Sequence, residues 1–352
     1  MVTQGFRKIV KALITVLIAY VILAVVATGI LFNSVFGRTE LKIQDLQLSY
    51  SDIDPALYPR SEFFFDSGGN MLQGYLYGEG NEGGLILIAH GIRNGADGFL
   101  PETMYFVDNG WRVFSFDGTG SRNSEGKGVM GLPQTKLDVI AAIEYIRADL
   151  ELKELPLCLF GHSMGGYAVT AALEDIDGVA AVVSLSGFES PMGVMYDLAG
   201  KEAGFLAVMV QPFIRLYQWA RFGEDADSSA VKAINSSNVP VLLIFGTEDD
   251  IIDPNTVGLY AFRHEITTPQ FSYIAIDRPY RNNHTDMLRT DKAGEYAFQK
   301  REELAALNDL YGGDIPVDEF SRFYESVDLR AMLQLDPDIM EQINSFFLSA
   351  LK

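Results

Sequence analysis

Residues 12–32, "ALITVLIAYVILAVVATGILF", run for 21 positions without a charge. As a helix rising about 1.5 Å per residue, this run is about 31 Å long, the thickness of a bilayer's hydrocarbon layer. It has no polar face, which argues against a helix buried in a soluble core. Farther along come four short apolar runs at wide spacing: "GLILIAH" (84–90), "WRVFSFD" (111–117), "LPLCLFG" (155–161) and "VAAVVSLSG" (179–187). They do not alternate with polar residues, as strands buried on both faces of a parallel sheet do not. Ahead of them, two β-rich runs flank "SGGN" (67–70) and predict a hairpin. Between the strands, "LPQTKLDVIAAIEYIRADL" (132–150) places apolar residues at 137, 140, 143 and 146, one face of a helix.

This alternation predicts an α/β fold with a doubly wound, mostly parallel sheet and ligands at the carboxyl ends of its strands. The pattern pauses over about 189–238 and resumes at "VPVLLIFG" (239–246). An insert there, above the strand ends, is placed to act as a helical lid. Its apolar stretch 204–219 reads first as lid-to-core packing and second as a lipid-docking surface. A helix near 254–266 and the strand "QFSYIAI" (270–276) complete the sheet. The tail from 285 reads as helical in pieces and ends in "DPDIMEQINSFFLSAL" (336–351), with an aspartate cap, a proline in the first turn and an apolar stripe. The expected organisation is an N-terminal segment 1–11, a transmembrane helix 12–32, a linker 33–60 and a catalytic domain 61–352.

Charge adds orientation. Arg7, Lys8 and Lys11 precede the apolar run, and no acid occurs among the first 39 residues. Positive charge on the short leading segment predicts a cytoplasmic N-terminus and an exported domain at the plasma membrane, anchored by a single pass. A cleaved signal peptide is the rival reading, but its apolar core is ordinarily shorter and no A-x-A site follows. The formal net charge of -20 argues against nucleic acid as a partner, since phosphate neutralisation needs clustered Lys and Arg. The one cysteine, Cys158, lies within an apolar run and reads as a small buried hydrophobe. No Cys/His cluster has metal-ligand spacing, so neither metal nor cofactor is expected.

The chemistry concentrates in "LCLFGHSMGGYAVTAAL" (157–173), where Ser163 stands between Gly161 and Gly165 as a strand gives way to a helix. Gly-x-Ser-x-Gly in that setting is a nucleophile elbow, a strained turn that lifts the serine oxygen above the sheet edge. The next N–H, that of Met164, opens the helix and points where an oxyanion would form. A serine hydroxyl needs a histidine base, oriented in turn by a carboxylate. Of the four histidines, His162 lies inside the elbow, His90 ends an early strand and His264 falls in the expected helix beside Arg263 and Glu265. His284, in a loop after the last strand, is the base this elimination leaves. For the carboxylate, "LLIFGTEDDIIDP" offers Glu248, Asp249, Asp250 and Asp253, and the order Ser–Asp–His favours Asp249 over Asp250.

These motifs resemble the α/β-hydrolase superfamily, in the style of its serine aminopeptidase and monoacylglycerol-lipase-like branch. The likeness covers about 62–290 and the last helix. It includes "AHGIRNG" (89–95), similar to a His-Gly oxyanion loop, and "DGTGSRNSEG" (117–126), similar to an Asp-x-x-Gly-x-Gly-x-Ser turn. The resemblance implies that Ile92, with Gly91 as runner-up, donates the second oxyanion N–H beside Met164. It further implies that His90 braces the loop and that Gly118 to Ser124 form a tight turn without direct chemistry. The chain departs from the pattern at Ser121-Arg122, where Gly-His is common, and in about forty extra residues before the final helix. The expected activity is hydrolysis of a small-molecule ester, thioester or amide through an acyl-enzyme. The alternative is a non-catalytic binding domain of the same fold, tethered to the membrane.

Overall fold

The computed structural model describes residues 4–38, 46–149, 151–204 and 207–352. Eight strands form one sheet in the order β1-β2-β4-β3-β5-β6-β7-β8. β1 (Arg60–Ser67) and β2 (Asn70–Tyr77) pair antiparallel across Gly68 and Gly69, both at positive φ, and make the expected hairpin. β2 also runs antiparallel to β4 (Arg112–Phe116). From β4 the sheet is parallel through β3 (Leu85–Ala89), β5 (Leu157–His162), β6 (Val179–Leu185), β7 (Val241–Gly246) and β8 (Phe271–Ile276). Every residue of β3, β4 and β7 is buried, which explains why their sequences are apolar without alternation.

Helices cover both faces of this sheet. α2 (Leu100–Asp108) packs on one side, and α3 (Pro133–Ala148) and α4 (Met164–Ala171) on the other. The buried face of α3 is centred on Val139, Ala142, Ile143 and Ile146, whereas Leu137 and Ile140 are only half-buried. The insert folds as α5 (Pro191–Ala203), α6 (Ala207–Phe222) and α7 (Ala230–Ser236). No helix forms at 254–266. Pro254, Asn255 and Gly258 break the stretch into turns and leave one 3-10 turn, Leu259–Phe262, so His264 sits in a turn.

The tail is α8 (Asp291–Leu310), α9 (Val317–Glu325), α10 (Leu329–Met332) and α11 (Pro337–Ala350). Asp336 caps α11 by accepting from the N–H groups of Asp338 at 2.9 Å and Ile339 at 3.4 Å. Its apolar stripe packs under the sheet, and Asn344 Oδ1 accepts from the buried Trp111 Nε1 at 2.8 Å.

The N-terminal helix α1 (Gln4–Phe36) is longer than the apolar run and long and apolar enough to cross a membrane. It does not end in a free linker at residue 33. Ala24, Thr28, Phe32 and Phe36 recur one turn apart and are buried against the domain. Beyond Phe36, Gly37 bridges Gly128, and the Arg38 guanidinium donates to the carbonyls of Arg122, Ser124 and Gly126. The turn 117–126 therefore receives the end of α1. The Arg93 guanidinium adds a bond to Ser34 O at 3.1 Å. Residues 39–45 of the expected linker lie outside the described residues.

The Trp111–Asn344 bond sets a stability test. Asn344→Leu strips the buried indole N–H of its acceptor and is expected to cost about 1–3 kcal/mol. Urea unfolding followed by tryptophan emission measures it, and an unchanged midpoint would show that the bond contributes nothing.

Candidate active site

The elbow forms because backbones meet there without side chains between them. A Cβ on Gly161 would lie 2.3 Å from Gly165 O, and one on Gly165 would lie 2.1 Å from Ala89 O. Only glycine lets β5 reverse into α4 against the end of β3. Gly166 also packs closely, its Cβ position lying 2.8 Å from Leu185 O. Ser163 takes the strain of the turn at φ 55° and ψ -116°, a conformation that L side chains rarely adopt. It is held by its N–H bond to Leu185 O at 2.7 Å and by its carbonyl, which accepts from Tyr167 N at 2.9 Å.

The loop after β8 brings His284 back over the strand ends. Its backbone crosses Gly246, where an added Cβ would lie 2.4 Å from Asn282 O. Glu248 N donates to Asn282 O at 2.7 Å and holds the two loops together. Asp249 is buried beneath this crossing, whereas Glu248 and Asp250 are exposed. His284 Nδ1 donates to Asp249 Oδ2 at 2.7 Å. Asp249 Oδ1 accepts from Ile251 N at 3.0 Å and Ile252 N at 2.8 Å. Burial pushes the Asp249 carboxyl up, but its bonds from His284, Ile252 and Ser186 outweigh burial and hold it below the usual carboxylate range. Asp249 is thus an anion that fixes His284 with Nε2 free.

Ser163 Oγ makes no hydrogen bond to His284. Such bonds are often long in a free enzyme and tighten around substrate. The two residues are nonetheless neighbours through His162, whose ring centroid is 4.8 Å from that of His284. His162 Nε2 donates to His284 O at 2.8 Å and pins the histidine loop to the elbow. Burial, with His284 next, lowers His162 to about 3, so it stays neutral. This role was not legible in the sequence, because it depends on a partner 122 residues away. Ser186, at φ 44° and buried beside Asp249, was missed for the same reason.

On the oxyanion side, neither Ile92 N–H nor Met164 N–H donates to a partner among the described residues. His90 braces this loop: Nδ1 donates to Gly91 O at 2.7 Å, and Nε2 accepts from Gly118 N at 2.8 Å. Both bonds require the neutral ring, and burial lowers its pKa accordingly. A cavity of about 390 Å³ lies next to the loop, lined by Ile92, Phe99, His162, Leu185 and Met287 among others. Neither Ser163 nor His284 lines it, so this hollow flanks the elbow and is not its mouth.

A family model described as serine aminopeptidase, S33, matches residues 80–222, which span β3, the elbow and most of the lid. An esterase of Pyrococcus furiosus superposes with a TM-score of 0.53 at 16% identity, covering 72% of this chain and 92% of that one. Acetyl xylan esterase 1 of Thermoanaerobacterium superposes with a TM-score of 0.51 at 18% identity, covering 76% of this chain and 88% of that one. The chain has the α/β-hydrolase fold. An uncharacterized Salmonella typhi protein, YfhR, is 24% identical over 294 residues, 75% of this chain and 87% of the relative. The matched family model supports a hydrolase.

His162 gives a test in acid. The imidazole titrates near 6.5 in the unfolded chain and about 3 in the fold. Between those values the unfolded chain binds more protons, so stability rises with pH across that window and falls as pH drops from 6.5 towards 3. His162→Gln is expected to flatten this slope. Urea midpoints measured across the window in detergent decide it, and equal slopes would contradict the assignment.

Proposed function

We propose that the protein is a membrane-anchored serine hydrolase that cleaves an ester, thioester or amide through an acyl-enzyme. The observation that carries this reading is the buried 2.7 Å bond from His284 to Asp249 beside a serine held at positive φ. Ser163 is the nucleophile, His284 the base and Asp249 the group that fixes the tautomer. Ser163 Oγ attacks the acyl carbonyl carbon as His284 Nε2 takes its proton. The imidazolium that results is stabilised by Asp249, which remains ionised. The carbonyl oxygen becomes an oxyanion and takes the N–H groups of Ile92 and Met164, at the head of α4.

Collapse of the tetrahedral intermediate breaks the bond to the leaving group, which receives the proton from His284. Water, deprotonated by the same imidazole, then attacks the acyl-enzyme and frees Ser163. Two preset amide donors and a buried anion suit this sequence because they need no rearrangement as charge develops. His162 and Ser186 act as positioning residues through His284 and Asp249.

The anchor belongs to the same proposal. Arg7, Lys8 and Lys11 keep the N-terminus cytoplasmic, α1 spans the membrane and the catalytic domain lies outside. Two features support a span: 33 residues of helix, and an apolar surface left exposed along most of its length.

Ser163→Ala is expected to abolish both fluorophosphonate labelling and hydrolysis of short p-nitrophenyl esters. Undiminished turnover would overturn the mechanism, and absence of turnover and labelling in the unaltered protein would favour a binding domain. Asp249→Asn is expected to lower kcat by about 10⁴-fold through the wrong imidazole tautomer, as read in the same ester assay.

A further inference from the structure

Each polar side chain within the apolar run of α1 has a hydrogen-bond partner inside the protein, as a bilayer interior demands. Thr15 and Thr28 donate one turn back, to Lys11 O at 2.9 Å and Ala24 O at 2.8 Å. Tyr20 instead donates to Met209 O of α6 at 2.5 Å. That carbonyl lies next to a break in the α6 ladder, because Pro212 withdraws the N–H that would bond Val208 O. Tyr20 meets Phe213 edge to face at 5.7 Å, and Phe32 packs on Tyr217 at 4.1 Å. The lid helix therefore follows α1 from residue 20 to residue 32, about 18 Å of helical rise.

The outer side of α6 is apolar and uncovered. Val208, Pro212, Leu216 and Trp219 recur at helical spacing and form one exposed stripe. Val208, Leu216 and Trp219 are each 58–67% exposed. Over the same stretch of α1, Val25, Val26 and Ile30 also face outward. The chain as a whole carries 47 acids against 27 bases, yet α6 has no acid and only two bases, Arg215 at mid-helix, paired with Asp227 at 3.1 Å, and Arg221 in the last turn. An apolar stripe that ends in a tryptophan and an arginine is the composition of a helix in contact with a membrane.

We propose that this stripe docks into the outer half of the lipid bilayer beside α1, so that the lid over the strand ends is held against the membrane. The proposal rests on the anchored reading of α1 and not on the chemistry of Ser163. Its partner is the lipid itself. Half of the described residues of 204–219 are exposed, and only Ala207, Ile214 and Gln218 of its α6 residues are buried, so one face of the stretch packs on the core while the other is open to lipid.

The chain's two tryptophans supply the test. Trp111 is fully buried in the domain, so emission that lipid can quench comes from Trp219. The full chain is reconstituted in phosphatidylcholine vesicles whose acyl chains carry bromine at several depths, from near the headgroup to the bilayer centre. The expected result is loss of part of the emission, absent in Trp219→Phe. Ile22→Trp in the Trp219→Phe background reports α1 separately, and it too is expected to be quenched. Quenching at residue 22 without quenching of Trp219 overturns the docking while the anchor stands. Emission from Trp219 that is blue-shifted but unquenched also overturns it, because protein and not lipid then covers the stripe. If neither site is quenched, docking and anchor fall together. Fluorophosphonate labelling of Ser163 in the same samples reads the hydrolase proposal independently of all three results.

Discussion

A methyl group on Gly165 would sit 2.1 Å from the carbonyl oxygen that ends β3, and one on Gly246 would sit 2.4 Å from the backbone of the histidine loop. These two close approaches set the geometry at the strand ends. The first lets α4 begin so near the sheet that Ser163 must project above it, with the Met164 amide turned to the same side. The second lets the loop carrying His284 cross the end of β7 directly over Asp249. Side chains at either point would lift one loop from the other, and a hydrogen bond of 2.7 Å tolerates little lifting.

Electrostatics then refines what packing has placed. His90, His284, Asp117 and Asp249 lie buried near the strand ends with His162 half-buried beside them, an arrangement that is costly unless each is paired or neutral. Asp249 stays ionised because it gathers donors from His284, Ile252 and Ser186. Asp117 lacks enough such support, and burial raises it despite bonds from Ala96, Tyr75 and Asn123. His90 and His162 lose charge and become neutral struts, each tying one loop to another. One set of residue types thus divides between chemistry and bracing by environment alone.

The central strands were legible because burial on both faces writes an unbroken apolar run, as in "LILIA" and "VLLIFG". The elbow was legible because its glycines are spaced by the turn itself, and Asp249 because it stands three places after Gly246. The stretch 254–266 misled because its apolar residues suggest a helix while Pro254 and Gly258 govern the backbone. Bonds between distant residues left no local mark. The attachment of His162 to His284, the pairing of Trp111 with Asn344 and the seat of α1 on the 117–131 region each join segments whose sequences carry no sign of one another.

Phe36 is buried, Gly37 pairs with Gly128, and Arg38 grips three carbonyls of one turn. A helix clamped in this way has no swivel at its base. The domain must rotate and tilt as one body with the stalk, like a flag fixed to its pole. Any torque on the stalk is then delivered to the loop that Arg93 shares with Ile92, because Arg93 also bonds the stalk at Ser34.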